Sequence, residues 1–410
     1  MNEPNRDYCP HCYPAAPNHR QEKIDSLFDA YFSLPVGGAF FQRVGRAILR
    51  VVLHFSHFIQ HAQFTDAIDR SQLNNGILVM WDEAKKRGLE LFNIKFGEKH
   101  TQHFVLMLEG KRYYFDRSPI CLVTEKVNQF ADASKYDDKS YFKKILLQHD
   151  LPCPQGQAFF SAKKAFRYGM KLGFPLVVKP AIASFSRHAS FNIKSEKGLR
   201  VAIDVAKQVN CRVVVEQYIS GDVHRVTILN DKVIASTKRQ AASVLGDGTS
   251  TIEELIDEKN NHPWRGAAAQ LNCTLHKIEK NQHLSTFLAT QGVNLKTKLK
   301  KGHRILLSNK MNNGNGAEVT NVTALIHPEN EKLFLKLHHI LNIPLSGIDF
   351  ICQDVSLPWQ EQPFAIIENN SLPYIDAHHY PSIGEPINAA SYLWDFVLEM
   401  LLSPAASPLR

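Results

Sequence analysis

Near the C-terminal end of this 410-residue sequence, Asp349, Glu368 and Asn370 have the types and spacing to hold a cation. Asp349 sits in Ser346-Gly347-Ile348-Asp349-Phe350, and Glu368 and Asn370 sit in Ile366-Ile367-Glu368-Asn369-Asn370. A carboxylate on one strand, beside a carboxylate and an amide at the end of its neighbour, makes an all-oxygen cluster suited to Mg2+ bridging phosphates. The flanking Ile and Phe residues hold these acids at the rim of a buried sheet, a setting that solvated carboxylates do not need. Two lysines stand at the edges of regular elements, Lys139 at the start of a helix and Lys179 at the end of a strand. There they can neutralise a triphosphate.

The elements that must position these residues follow from hydrophobic periodicity. An apolar stretch at 77–81 and a charged run at 82–87 ended by Gly88 precede strand-like residues 89–96. Residues 104–108 and 112–115 follow, joined by Glu109-Gly110-Lys111 as a hairpin turn. This is a small α/β unit ending near residue 130. Beyond it the sequence predicts a helix over 138–147 and buried strands at 176–179 and 213–216. A hairpin of 225–229 with 232–236 turns at Asn230-Asp231, a helix spans 328–341, and strands cover 347–352 and 365–368.

Composition narrows the partners. The formal charge is +8, but Lys and Arg are spread along the chain and form no block, so an anionic small ligand is expected and a nucleic-acid arm is not. The apolar stretch at 37–64 is interrupted by Arg43, Arg46 and Arg50 and does not reach the ~20 residues of a membrane span. The first residues are polar and do not make a signal peptide. Seven scattered cysteines fit reduced thiols and a cytoplasmic location. Cys9-Pro10-His11-Cys12 has redox or zinc spacing, but in a Pro-rich tail without a second ligand pair it is read as structural or incidental. From Phe40 to Phe55 apolar residues recur every three or four positions, which predicts a helix whose apolar face packs or makes a homodimer contact, with a membrane surface as the alternative. His57 and His61, one turn apart, are read as surface histidines because no third ligand is evident.

Taken in order, the motifs over residues 138–385 resemble the ATP-grasp ligases, and among them the cyanophycin synthetases and the ATP-grasp half of bifunctional glutathione synthetases. The most specific stretch runs from Arg239 through the Gly246-Asp247-Gly248 turn to Thr251-Ile252, followed by Asn260 and Pro263-Trp264-Arg265-Gly266. Gln291-Gly292, Asn315-Gly316-Ala317-Glu318-Val319-Thr320 and Ile326-His327-Pro328-Glu329-Asn330 continue the match.

The resemblance implies an α+β, ATP-grasp fold, two α+β subdomains gripping ATP, preceded by a smaller N-terminal α/β domain. The expected division is 1–130, 131–220 and 221–410. It implies ATP and Mg2+ as cofactors, with two metal ions and Mn2+ as an alternative. Lys139 and Lys179 match the phosphate lysines; Glu216, Gln217 and Ile219 match the linker that meets adenine; Asp349, Glu368 and Asn370 match the metal ligands. Arg225 and Arg239 match basic positions near the transferred phosphate and the acyl acceptor. His378, His379 and Ser382 fall in a segment that approaches substrate in similar ligases. The implied reaction turns a carboxylate into an acyl phosphate, joins it to the amine of an amino acid or small peptide, and releases ADP and phosphate. A non-catalytic nucleotide-binding protein and a grasp-like kinase are the alternatives.

The pattern departs in places. The loop at 181–190 holds Ser184, Ser186, Arg187, His188 and Ser190 but no glycine, where bare backbone is expected to pack around phosphate. Similar ligases carry an acid two residues before the Arg225 position, to hold ribose hydroxyls. Here Val223 stands there and Asp222 comes one position early, as a displaced ribose candidate. The sequence has no GxxxxGK[ST] loop and no counterpart of the Mur-like unit of cyanophycin synthetases or of the amino-acid-activating domain of bifunctional glutathione synthetases, so a shared substrate does not follow.

Overall fold

The computed structural model describes residues 62–126, 130–181, 187–267, 270–308 and 316–403, with His19 and Met311. The Cys9–Cys12 motif, the amphipathic stretch at 40–55, His57 and His61 lie outside the described residues, as does part of the 181–190 loop.

An antiparallel meander opens the described chain: β1 (Ala62–Thr65), β2 (Glu90–Phe96), β3 (Lys99–Leu108) and β4 (Lys111–Asp116). Both turn residues between β3 and β4, Glu109 and Gly110, have positive φ (49° and 71°), the backbone that a two-residue hairpin requires. The apolar stretch and the charged run that precede β2 form one helix, α1 (Asn75–Lys86), capped by the Asn74 side chain on the Ile77 N–H. Helix α2 (Ile120–Lys126) follows β4.

Next, α3 (Lys139–Gln148) is capped by Asp138, which accepts from the N–H groups of Ser140 and Tyr141. It leads into β5 (Gly156–Phe159), α4 (Ala162–Leu172), β6 (Leu176–Pro180), β7 (Ser190–Ile193), α5 (Glu196–Ala206) and β8 (Val213–Gln217). These strands make an antiparallel sheet in the order β5-β8-β6-β7. Alternation sends Leu176, Val178, Val213 and Val215 into a core with α4 and α5, leaving Val177, Lys179, Val214 and Glu216 on the other face.

The hairpin predicted at Asn230-Asp231 is present as β9 (Asp222–Leu229) and β10 (Lys232–Gln240), with Asn230 at φ 52°. A satellite unit follows: β11 (Ser243–Leu245), α6 (Ile252–Asn260), the short parallel pair β12 (Arg265–Gly266) and β13 (Leu275–His276), α7 (Gln282–Thr290) and β14 (Arg304–Leu306). Thr251 and Glu254 close a reciprocal capping box at the start of α6, so the Thr-Ile motif is a helix-start signal. The chain then adds β15 (Glu318–Asn321), α8 (Pro328–Leu341), β16 (Leu345–Cys352), β17 (Phe364–Asn370), α9 (Asp376–His379) and α10 (Ala389–Leu402). The large antiparallel sheet has the order β15-β10-β9-β16-β17. One of its faces is apolar: Val226, Ile228, Ile348 and Phe350 pack on α8 and on Phe142 and Leu146 of α3. The opposite face carries the polar residues.

Helix α10 belongs to the core of the first sheet although nearly 300 residues separate them. Leu393, Trp394 and Val397 recur at three- and four-residue spacing and pack with Trp81, Phe104 and Phe115. The Trp394 indole donates to the Met80 carbonyl at 2.9 Å, and its ring meets Phe115 edge-on at 6.3 Å. Truncating this fully buried ring, Trp394→Ala, is expected to cost about 3–5 kcal/mol. The exposed Tyr392→Ala on the same helix should cost less than about 1 kcal/mol. Urea unfolding midpoints of the two variants distinguish these outcomes, and equal midpoints would place α10 outside the core.

Candidate active site

The polar face of the large sheet is set by register. Thr237 on β10 lies opposite Arg225 on β9, Arg225 opposite Asp349 on β16, and Asp349 opposite Glu368 on β17. Directly paired residues share a face, so these side chains form one row across four strands. Arg239 and Asn370 lie on the same face, two residues along their strands, and Gly347 is paired with Asn370. A Cβ on Gly347 would come within 2.5 Å of Pro373, so only glycine lets the segment after β17 fold back here.

Within the row, the Arg225 guanidinium donates to both oxygens of Asp349, Nε to Oδ1 at 2.6 Å and Nη2 to Oδ2 at 2.7 Å. Both residues are buried; burial pushes the Asp349 carboxyl above the ordinary aspartate value, and this parallel fork with Arg225 offsets only part of that push. Glu368 meets Lys139 Nζ at 2.9 Å. Burial opposes ionisation of Glu368, but the Lys139 ammonium outweighs it and brings the carboxyl down to about 2.

The smaller sheet supplies a second charge centre. Glu216, buried on β8, is held between Lys179 Nζ at 2.7 Å and Lys143 Nζ of α3. Burial pushes this carboxyl up, and Lys179 with Lys143 pull it below the ordinary glutamate value. Gly156, opposite Glu216 on β5, leaves the room it needs, since a Cβ there would sit 2.4 Å from Glu216 Cγ. Helix α3 therefore feeds both centres: Lys139 reaches the large sheet, and Lys143, one turn on, reaches the small one. Beside them lies a cavity of about 430 Å³ lined by Lys139, Ser140, Lys144, Gln157, Ala158, Arg212, Val214 and Glu216. Three cations against one carboxylate give that lining an excess of positive charge, which suits a polyphosphate.

Lys139, Lys179, Glu216, Arg225, Asp349, Glu368 and Asn370 are thus drawn to the facing surfaces of the two sheets and to α3. Gln217 is exposed at the end of β8, and Ile219 is half-buried in the segment after it. Arg239 stands on the polar face, and its Nε has no hydrogen-bond partner among the described residues. Burial and the nearby Arg225 bring this guanidinium down to about 10.

Asp222 is not brought in. It is three residues before Arg225, so the strand turns its side chain to the opposite face, where it accepts from Gln240 Nε2 at 3.0 Å and lies 3.6 Å from Lys238 Nζ. Its one-residue displacement in sequence is a change of face. Of the substrate-segment residues, His378 bonds Thr227 through Nε2 at 2.8 Å, and Ser382 closes a backbone pair with Val319. Sequence reasoning missed Lys143, Lys144 and Arg212. The four-residue step from Lys139 to Lys143 on one helix face was the available signal. The glycine-free loop ends on His188 with φ 52°, so a histidine adopts the left-handed backbone where glycine is easiest.

An all-oxygen set of two carboxylates and one amide fits Mg2+, which commonly takes one or two protein carboxylates and completes its shell with phosphate oxygens and water. Asp349, Glu368 and Asn370 are the residues that would hold it. Among the described residues no helix is long and apolar enough to cross a membrane.

Comparison with known proteins agrees with this geometry. Residues 155–285 match the family model described as the D-ala D-ala ligase C-terminus. The chain is 33% identical to a cyanophycin synthetase from Synechocystis sp. over 67% of its own length and 31% of that protein. It is 28% identical to the bifunctional glutathione biosynthesis protein of Clostridium perfringens over 80% of its own length and 41% of that protein. It therefore spans less than half of the curated relatives it matches. Among solved structures, a bifunctional glutathione synthetase from Pasteurella multocida superposes with a TM-score of 0.60 at 20% identity, covering 80% of this chain and 44% of that one. At that identity the likeness is one of fold.

Three buried histidines and the half-buried His379 set an acid limit on this architecture. Burial lowers His224, His338 and His379 to about 4, and burial with the nearby Arg225 and Arg239 lowers His378 to about 3. Below pH 6.5 the unfolded chain takes up protons that these rings refuse in the fold. Stability should therefore be lost progressively as pH falls from 6.5 toward 4, by about 1.4 kcal/mol per pH unit for each histidine. His378→Gln should flatten that dependence by one proton's worth. Urea unfolding at pH 7, 6 and 5 measures it, and an unchanged slope would mean that His378 titrates in the fold.

Proposed function

The chain belongs to the ATP-grasp superfamily, and from that premise we propose that it is an ADP-forming carboxylate–amine ligase acting on amino acids or small peptides. The observation that carries the reading is the row Arg225–Asp349–Glu368 on one sheet, met by Lys139 from the helix that also serves the other sheet. The named activities of the relatives support the reaction class, which is amide or peptide bond formation driven by ATP.

In this reading the phosphates of ATP enter the cationic cavity beside Lys139, Lys144 and Arg212, with Lys179 behind Glu216. When bound, magnesium held by Asp349, Glu368 and Asn370, as one ion or two, screens the phosphate charges and polarises the γ-phosphoryl group. Lys139 then exchanges its contact with Glu368 for the polyphosphate. Arg225 orients Asp349 through its fork. Arg239, with an unengaged Nε on the same face, neutralises charge that develops as the substrate carboxylate attacks the γ-phosphorus. The acyl phosphate so formed has a good leaving group, and an amine held beside it displaces phosphate. In this reading Gln217, the last residue of β8, and Ile219 just after it would border the adenine. The described cysteines, Cys121, Cys153, Cys211, Cys273 and Cys352, are all thiols, in keeping with a cytoplasmic enzyme.

Two variants test the assignment. Glu368→Ala should lower acid-dependent ADP release by at least about a thousandfold, and Lys139→Ala should raise the KM for ATP by about ten- to a hundredfold. Both are read in an ADP-release screen over pairs of amino acids and dipeptides with mass spectrometry of the products. Full turnover by the Glu368 variant would remove the metal assignment, and a phosphorylated product in place of an amide would make the protein a kinase.

A further inference from the structure

One buried carboxylate on the polar side of the large sheet has no place in the steps above. Asp376, at the start of α9, is 8% exposed. Its Oδ2 accepts from Thr274 Oγ1 at 2.6 Å, and Thr274 in turn accepts from Asn75 Nδ2 at 2.7 Å. That chain ties together α9, the satellite unit and the first turn of α1. No salt bridge reaches Asp376 among the described residues, although a carboxylate this deeply buried ordinarily has one.

The surroundings of Asp376 are under-satisfied in the same way. Among the described residues, Thr237 Oγ1 on β10 and His378 Nδ1 on α9 are buried without a hydrogen-bond partner, in residues that are 0% and 1% exposed, and so is Arg239 Nε. Thr237 and Arg239 lie on the sheet face that carries Arg225, and His378 is fixed over that face by its bond to Thr227. Polar groups buried without partners across a short span mark a place built to meet a polar ligand. The contributions are complementary: one carboxylate without a cation, one guanidinium with a free N–H, one hydroxyl and one neutral imidazole.

We infer that Asp376 holds the ammonium group of the acceptor substrate and takes its proton when the amine attacks, making the acceptor a primary amine of the amino-acid class. This rests on the ligase reading. The step balances as follows. The ammonium passes one proton to an Asp376 oxygen, and the freed nitrogen lone pair forms the C–N bond at the acyl-phosphate carbon. The C–O bond to phosphate breaks, the electron pair leaves with phosphate, and the second nitrogen proton departs with it as hydrogen phosphate. Burial raises the Asp376 carboxyl above the ordinary aspartate value in spite of its Thr274 bond and the two arginines, as a proton acceptor for an ammonium requires. The titratable groups whose charges reach it are Arg239 on β10, Arg225 on β9, Tyr380 after α9, and Cys273 beside β13.

The experiment compares two nucleophiles in the same enzyme. The protein is given ATP, Mg2+ and each of the twenty amino acids as acid, either with hydroxylamine, which is already neutral at pH 7, or with each amino acid as amine. Hydroxamate and amide are measured by mass spectrometry. Asp376→Asn keeps an oxygen for Thr274 and should lower the ratio of amide to hydroxamate by about a hundredfold. Its amide rate should climb about tenfold per pH unit toward the pKa of the free amine. Asp376→Glu, which keeps the carboxylate, should hold the ratio within tenfold of the parent. A ratio unchanged in Asp376→Asn, or one as low in Asp376→Glu as in Asp376→Asn, overturns the inference. No hydroxamate from the parent protein with any acid removes the ligase reading, and this inference with it.

Discussion

A guanidinium and a carboxylate, buried side by side on adjacent strands, organise the centre of this molecule. Arg225 and Asp349 sit opposite one another on β9 and β16, the two middle strands of the large sheet, and meet through two parallel hydrogen bonds. Neither charge survives there alone. An uncompensated member of such a pair costs about 3–5 kcal/mol, so the fork fixes the register of the two strands as well as the charge state of the site. Every other polar side chain on that face takes its position from this register. Glu368 is the next residue across from Asp349, Thr237 the next across from Arg225, and Arg239 follows two residues on.

That row would be isolated without α3. Lys139 and Lys143 project from the inner side of a short helix whose neighbouring positions Phe142 and Leu146 anchor it in the core under the large sheet. The helix is therefore fixed to one unit and reaches the other. Lys139 answers Glu368 on the large sheet, and Lys143 shares Glu216 with Lys179 on the small one. These pairs neutralise two carboxylates, and one of them, Glu216, lines the cationic cavity. The ion pairs thus link α3 to both sheets and keep cations beside the cavity.

Much of this was legible in the sequence, and the reasons differ by residue. The helix at 328–341 and the Asn230-Asp231 hairpin were readable because periodicity, a Pro at the first helical position and a left-handed Asn all act locally. Asp349, Glu368 and Asn370 stood out as two carboxylates and an amide among apolar strand residues, and Lys139 and Lys179 as lysines at the start of a helix and the end of a strand. What was not legible depends on long-range packing. The partner of Glu216 on α3 is 73 positions away, and the four-residue step from Lys139 to Lys143 gives a shared helix face without saying which carboxylate that face meets. Asp222 looked like a displaced ribose acid because sequence spacing does not carry the face of a strand unless its register is known. Once β9 is paired with β16, an offset of one residue becomes the other side of the sheet.

The first sheet and the satellite unit are joined to the polar face by the same logic of burial. Helix α10 completes the core of the meander that opens the described residues, and α9, a few residues earlier, is tied in turn to α1. The contact between them is polar: Asn75 from α1 and Thr274 from the satellite unit converge on Asp376. Three segments separated by up to about 300 residues each contribute one group to a single hydrogen-bonded chain, and its end lies within electrostatic reach of Arg225 and Arg239. Because none of the three is rigid by itself, the geometry at Asp376 depends on both hydrophobic cores being formed. Helix α1 is therefore part of the polar site through the packing that aims Asn75, while the row of Arg225, Asp349 and Glu368 on the same sheet is set almost entirely by strand register and α3.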